Sequence, residues 1–479
     1  MTSESPSSTE ALVPPPDSAA EAPRRRRRRR LTAAGAAAVV LVLVAVLAVV
    51  VTRPDPAPVV IPDPGDVHAA DSVVESMGVA VQLYQQSRRF DLLERTLGDL
   101  GVRHIRTGGR GEQFFAHVNQ LHEDHGIKTL LVMDPREGYS GDDVVTEGLL
   151  PVLDAAEGVE GPNEWDINRD LEYDGQSWPE GVRAFADRMH DSIKGYRDED
   201  PQVQEAVRAL TVVSPSVADP DSTAELAGVR CDLASMHSYP GGELPDQDLT
   251  TKWMPAALQL CDGKGVVSTE SGYCNTLTPE GCTEQGGVSE RASAKYALRH
   301  YLEYFRAGVR RDYLYNLSTD DWDLFLDADG RRKPAFYAVR SLVDLLEDPG
   351  STHHPTRFDV TVAATDEAGA AVDDVRHVVL QKRDGSYWLA LWANTLSYPA
   401  GEECCDVETT RRVSVQLPRA MTATRYEPTF SGTSAVGATA TSSTLQLDVP
   451  DHVVLLRLDE APDAADPSTD ASSGSSPAS

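Results

Sequence analysis

Two glutamates stand where a sugar bond could be cut. Glu164 lies in Val159-Glu160-Gly161-Pro162-Asn163-Glu164-Trp165-Asp166, an apolar run that breaks at glycine and proline before an Asn-Glu pair. Glu270 lies in Val266-Val267-Ser268-Thr269-Glu270-Ser271-Gly272-Tyr273, a second apolar run that ends in a carboxylate. Retaining glycoside hydrolysis needs such a pair. One carboxylic acid protonates the leaving oxygen while the other carboxylate attacks the sugar carbon. A single loop glutamate is usually only solvated. Two of them, each at the carboxyl end of a strand, fit a parallel barrel, whose reactive groups gather at that end.

The elements that would position them are legible in the hydrophobic pattern. Short apolar runs at 77–83, 102–106, 129–133, 158–161, 210–214, 233–237, 265–269 and 312–316 read as eight strands. Helical patterns separate them. Phe90, Leu93, Leu97 and Leu100 recur at helical spacing, and 114–125, 181–196, 288–307 and 334–346 read as further helices. Gly126 and Gly308 follow two of these as plausible caps. The alternation predicts an α/β fold, a (β/α)8 TIM barrel over 72–348. Residues 357–458 change character. Runs at 375–382, 387–393, 412–417, 422–426, 444–449 and 452–458, with turn residues between them, predict a small antiparallel β-sandwich. The tail 459–479 is rich in Asp, Ser, Pro and Ala and reads as disordered.

Asn163-Glu164 after the fourth strand and Glu270 after the seventh resemble the signature of clan A glycoside hydrolases, a superfamily of retaining (β/α)8 enzymes. The resemblance covers 72–348, and a downstream sandwich is a common companion in the clan. It implies that Glu164 is the general acid/base, that Glu270 is the nucleophile and that Asn163 holds the 2-hydroxyl of the substrate. It also implies that Arg106 lies beside the nucleophile, that His237 touches the substrate and that Tyr239 hydrogen-bonds Glu270. Those roles call for a raised pKa on Glu164 and an ionised Glu270. The eighth strand departs from the pattern. Many members end it in tryptophan, whereas this chain reads Tyr313-Leu314-Tyr315-Asn316-Leu317-Ser318. Asn316, Tyr315 and Trp322 are the candidates there, and Trp165 beside Glu164 is a further candidate to stack on a sugar.

Composition and the N-terminus bound the setting. A formal charge of −31 argues against binding a phosphate backbone. No CxxC pair or histidine spacing suggests a metal, and no organic cofactor is implied. Residues 1–30 are polar and end in an unbroken arginine run at 24–30. The uncharged apolar run 31–51 is long enough to cross a bilayer as an anchor, longer than the core of a cleavable signal peptide. The arginines would stay in the cytoplasm, which puts the rest of the chain outside. The proline-rich stretch 52–71 reads as a stalk. Six cysteines fit an oxidising exterior. Cys231 with Cys261 and Cys274 with Cys282 are candidate disulfides, and the connectivity of Cys404 and Cys405 stays open. The expected protein is a membrane-anchored extracellular retaining glycoside hydrolase. Its expected partners are a cell-surface or environmental polysaccharide and the membrane. A transglycosylase and a non-catalytic glycan-binding surface protein are the alternatives.

Overall fold

The computed structural model describes residue 59 and residues 66–275, 286–318, 322–350, 352–399, 406–428, 430 and 435–461. The run 31–51, most of the proposed stalk, Cys282, Cys404, Cys405 and nearly all of the tail lie outside these residues. Among the described residues no helix is long and apolar enough to cross a membrane.

The chain enters through β1 (Val67–Ala69), inside the expected stalk, and α1 (Ala70–Glu75), which begins there and runs past its expected end at residue 71. The barrel strands follow: β2 (Met77–Ala80), β3 (His104–Gly108), β4 (Lys128–Val132), β5 (Ala156–Glu160), β6 (Thr211–Val212), β7 (Ala234–Ser238), β8 (Val266–Ser271) and β9 (Asp312–Leu314). They pair in parallel in the order β6-β5-β4-β3-β2-β9-β8-β7. The two ends of this path meet at the bridge between Val213 and Leu233, which closes the barrel. All eight expected strands are present. β6 is the shortest because the chain beyond Val212 holds its neighbour through that single bridge.

Alternation decides which side each residue serves. Ile105, Leu131, Val159, Val212, Val266 and Leu314 join the core shared with the helices. Leu130, Val213, Val267 and Tyr313, with Leu233 against them, form a separate apolar cluster, the lumen layer beneath the site. The helices follow their stripes. Helix α2 (Phe90–Leu100) buries Phe90, Leu93, Leu97 and Leu100 and stops at Gly101 in the left-handed region. Helix α3 (Glu112–His125) stops at Gly126 in the same way. The remaining helices are α4 (Glu180–Lys194), α5 (Pro201–Ala209), α6 (Met254–Leu258), α7 (Glu290–Arg306) and α8 (Pro334–Leu346). Cys231 and Cys261, either side of β7 and α6, form a disulfide. Cys274 is also disulfide-bonded.

The second sheet contains β1, β10 (Thr361–Thr365), β11 (Ala371–Val372), β12 (Val375–Gln381), β13 (Tyr387–Ala393), β14 (Thr410–Glu427), β15 (Ala435–Pro450) and β16 (Val454–Glu460). The runs 412–417 and 422–426 are one strand, not two. β14 pairs β10 through its first half and β16 through its second, with a register shift between Gln416 and Met421. Pro418 sits in that shift, where a missing N–H costs least. The bend folds the sheet into two layers around Val413, Val415, Leu417, Leu389, Leu391 and Leu456. β1 pairs in parallel with β12 at the edge of the sheet.

β13 is buried on both faces. Tyr387, Leu389 and Leu391 point into the sandwich, whereas Trp388, Ala390 and Trp392 pack with the barrel core. Helix α7 lies between the two bodies, so it buries charged residues. Lys295 Nζ lies 2.8 Å from Asp451, with both side chains buried, and Arg299 donates to Asn394 Oδ1 at 2.7 Å. Trp392 Nε1 donates to Glu303 at 3.0 Å. Removing one member of a buried pair strands the other. Asp451→Ala is therefore expected to destabilise the protein by about 3–5 kcal/mol, read as a lower midpoint in chemical denaturation.

Candidate active site

The loop after β5 is shaped by backbone before side chains act. Gly161 has φ 149°, and a Cβ there would fall 1.9 Å from the Met133 carbonyl oxygen, so only glycine lets the chain pass. After Pro162 the chain pairs with the loop beyond β6. Ser216 N donates to Pro162 O at 3.2 Å, and Glu164 N donates to Ser216 O at 3.1 Å. Glu164 itself is left-handed, at φ 50° and ψ 45°. Such a conformation costs a non-glycine residue about 1–3 kcal/mol and persists where neighbours over-determine it. Asp134, beyond β4, supplies part of that hold. It accepts from Asn163 N at 2.9 Å and from the Trp165 indole at 3.2 Å.

Arg106, in β3, organises the floor. Its Nε donates to Glu160 at 2.5 Å, one Nη to Glu270 at 2.6 Å and the other to Asn163 Oδ1 at 2.6 Å. Tyr239 donates to the second oxygen of Glu270 at 2.6 Å. His237 Nδ1 lies 2.6 Å from Glu164 Oε1 and 3.7 Å from Glu270. Glu160, fully buried, also accepts from Ser235 at 3.0 Å and Thr269 at 2.8 Å. One oxygen of Glu164, one oxygen of Glu270 and a His237 nitrogen all lie within 4.8 Å of one another. These three atoms are close enough to surround a cation. In the structure Glu164 is hydrogen-bonded to His237, and Glu270 to Arg106 and Tyr239.

The charges order the titrations. Burial would push Glu160 up, but Arg106 and His237 outweigh it and hold it at about 2. Burial disfavours charge on His237 as well, yet Glu270 and Glu164 raise it to about 10. Burial opposes ionisation of Glu164, but His237 and Arg106 bring it below the usual carboxylate value. The expected raised pKa on Glu164 is therefore not met in this arrangement.

The sequence-derived candidates divide by position. Arg106, Asn163, Glu164 and Glu270 line one cleft of 340 Å³, with Tyr315 on its wall. His237 and Tyr239 bond the two glutamates from behind. Trp322 packs edge-on against Tyr239 at 4.9 Å and against Tyr315 at 6.2 Å, so the region after β9 does carry aromatic rings. Asn316 is fully buried, and its backbone bonds Trp322 and Leu324, which places it in the support of that loop. Trp165 does not present its ring to a sugar. It is only 2% exposed and its indole is tied to Asp134.

Three residues of the network escaped the sequence reading: Glu160, Asp134 and Ser216. A signal existed for two. Glu160 is a charge inside a buried strand, and Asp134 directly follows an apolar run that should end at the reactive face of a barrel. Ser216 had none, because only the bridge to Asn163 gives it a role.

No family model matches the sequence, and no curated protein is similar to it. Solved structures are. The GH51 arabinofuranosidase from Xanthomonas axonopodis pv. citri is similar at 16% identity, over 83% of this chain and 98% of that one, with a TM-score of 0.50. A bifunctional glucanase-xylanase from a metagenome library is similar at 12% identity, over 83% and 98%, with the same TM-score. This chain has the fold of those hydrolases. The clan A resemblance and the closed barrel thus agree on architecture.

His237 makes stability depend on pH. Its folded pKa of about 10 lies above the ordinary value of 6.5, so its contribution is full below pH 6.5 and is lost as pH rises towards 10. Unfolding free energy measured across that window should fall with pH, and the fall should be smaller in His237→Asn.

Proposed function

We propose that the protein is a retaining glycoside hydrolase in which Glu270 is the nucleophile and Glu164 the acid/base. One observation carries the reading: the two carboxylates share a cleft, and one oxygen of each lies within 4.8 Å of the other. Retaining enzymes hold their carboxyl groups about 5–5.5 Å apart, whereas inverting enzymes need about 6.5–9.5 Å to admit a water between them. The neighbours in structure are named for arabinofuranosidase, glucanase and xylanase activities, which supports a polysaccharide or its fragments as substrate.

The chemistry follows from the contacts. Arg106 and Tyr239 donate to the two oxygens of Glu270 and orient it for attack at the anomeric carbon. The Oδ1 of Asn163 accepts from both Arg106 and Ser216, which turns its NH2 towards a sugar hydroxyl. Glu164 must deliver a proton to the leaving oxygen. The 2.6 Å contact with His237 Nδ1 supplies a route: the proton crosses to Glu164 as a sugar displaces water and the charge of Glu270 is consumed in the new bond. Glu164 then takes a proton from the water that resolves the glycosyl-enzyme.

Glu270→Gln should reduce hydrolysis of aryl glycosides to background, and Glu164→Gln should lower it by about 10²–10⁴-fold. Proton NMR of the first-formed sugar should show the anomer of the substrate. Release of the opposite anomer would assign an inverting reaction and remove the nucleophile role from Glu270.

The apolar run 31–51, with arginines before it, supports a single-pass anchor that places the barrel outside the cell. Full-length protein should sediment with membranes through a carbonate wash and yield its barrel to external protease. A chain lacking residues 1–51 should be released.

A further inference from the structure

We infer that Tyr84, on the loop after β2, is a stacking platform for a second sugar ring, so that the cleft takes chains rather than single sugars. The inference rests on the glycoside hydrolase reading and adds a binding position to it. Tyr84 is 62% exposed. Three large apolar side chains are exposed among the described residues, namely Tyr84, Ile167 and Val407. Of these, Tyr84 lines the cleft that holds Glu164 and Glu270. A lone exposed tyrosine elsewhere would need no explanation. In a cleft it offers an aromatic face beside the reacting pair.

The loop is built to hold that face still. Leu83 is buried, and its backbone N–H donates to Thr107 Oγ1 at 3.4 Å. Gln82 Nε2 donates to the Tyr315 hydroxyl at 2.6 Å, and Gln86 Nε2 donates to the Ser318 carbonyl. Residues on both sides of Tyr84 are thus anchored to β3 and to the segment after β9, the neighbours of β2 on either side, while its own ring has no aromatic neighbour among the described contacts. Gln85 beside it is exposed and also lines the cleft, with an amide able to donate to and accept from sugar hydroxyls. An aromatic face next to an amide matches the two sides of a pyranose or furanose ring, whose C–H face is apolar and whose rim is polar. Because the loop is already pinned, little ordering is lost when a sugar arrives.

The test uses two readouts that fail separately. Wild type and Tyr84→Ala are assayed on an aryl monosaccharide glycoside and on soluble polymers: arabinan, xylan, mixed-linkage β-glucan and laminarin. Binding of the same polymers to Glu270→Gln and to the Tyr84→Ala/Glu270→Gln double variant is measured by affinity electrophoresis. Tyr84→Ala should lower kcat/KM for the polymer, relative to the aryl glycoside, by about tenfold, and the double variant should bind the polymer about tenfold more weakly. Tyr84→Trp should restore both. Equal losses on polymer and aryl glycoside, an unchanged ratio, or no polymer retained by Glu270→Gln would each overturn the platform. Aryl glycoside hydrolysis by the wild type reports separately on the broader reading.

Discussion

The structure of the reactive end depends on one buried cation. Arg106 holds two strands and a loop at once: Glu160 of β5, Glu270 of β8, and Asn163 in the loop that carries Glu164. A lysine could make one such contact well, but its point charge has no planar fork with which to register three acceptors. Glu160 is the counterweight. Lying deeper than Glu270, it neutralises the guanidinium and is itself satisfied by Ser235 and Thr269, so that the cation presents a directional edge to the cleft. Without it, Glu270 would be left as the carboxylate paired with Arg106.

The second wall is built from proton sharing. His237 faces all three carboxylates, from 2.6 Å at Glu164 to 3.7 Å at Glu160 and Glu270. A neutral histidine in that place would leave three negative groups opposed by Arg106 alone. The raised pKa of His237, caused by Glu270 and Glu164, favours a positive charge that brings the cluster nearer balance. The conformation of Glu164 belongs to the same design. A left-handed residue bridged to Ser216 cannot drift, so its carboxylate stays on the histidine.

Much of this was legible in the residues. The eight strands are visible because each is a short apolar run set off by turn residues. The two glutamates stand out because a charge directly after such a run has few structural reasons to be there. The roles of Tyr239 and His237 came from the family resemblance, and in the structure Tyr239 bonds Glu270 while His237 bonds Glu164. What stayed hidden is what depends on distance through space. Trp165 looked available next to Glu164, yet the turn that exposes Glu164 sends the indole inward to Asp134. The raised pKa expected of Glu164 failed for a similar reason: burial alone would produce it, but the neighbours of a buried group are not written in its own segment. β14 was divided into two strands because Leu417-Pro418-Arg419-Ala420 has the composition of a turn, whereas the partner strands carry the chain straight through the bend.

The short strand β1 has a mechanical meaning. It couples residues 67–69 to the edge of the sandwich through β12 before the chain reaches the barrel. A pull from upstream would therefore act first on the sandwich, along a parallel ladder that resists in shear. It would pass to the barrel through the tryptophan face of β13 and the buried charges of α7. The ladder thus takes strain at residues 67–69, ahead of α1 and of β2, whose Ala80 pairs with Arg106.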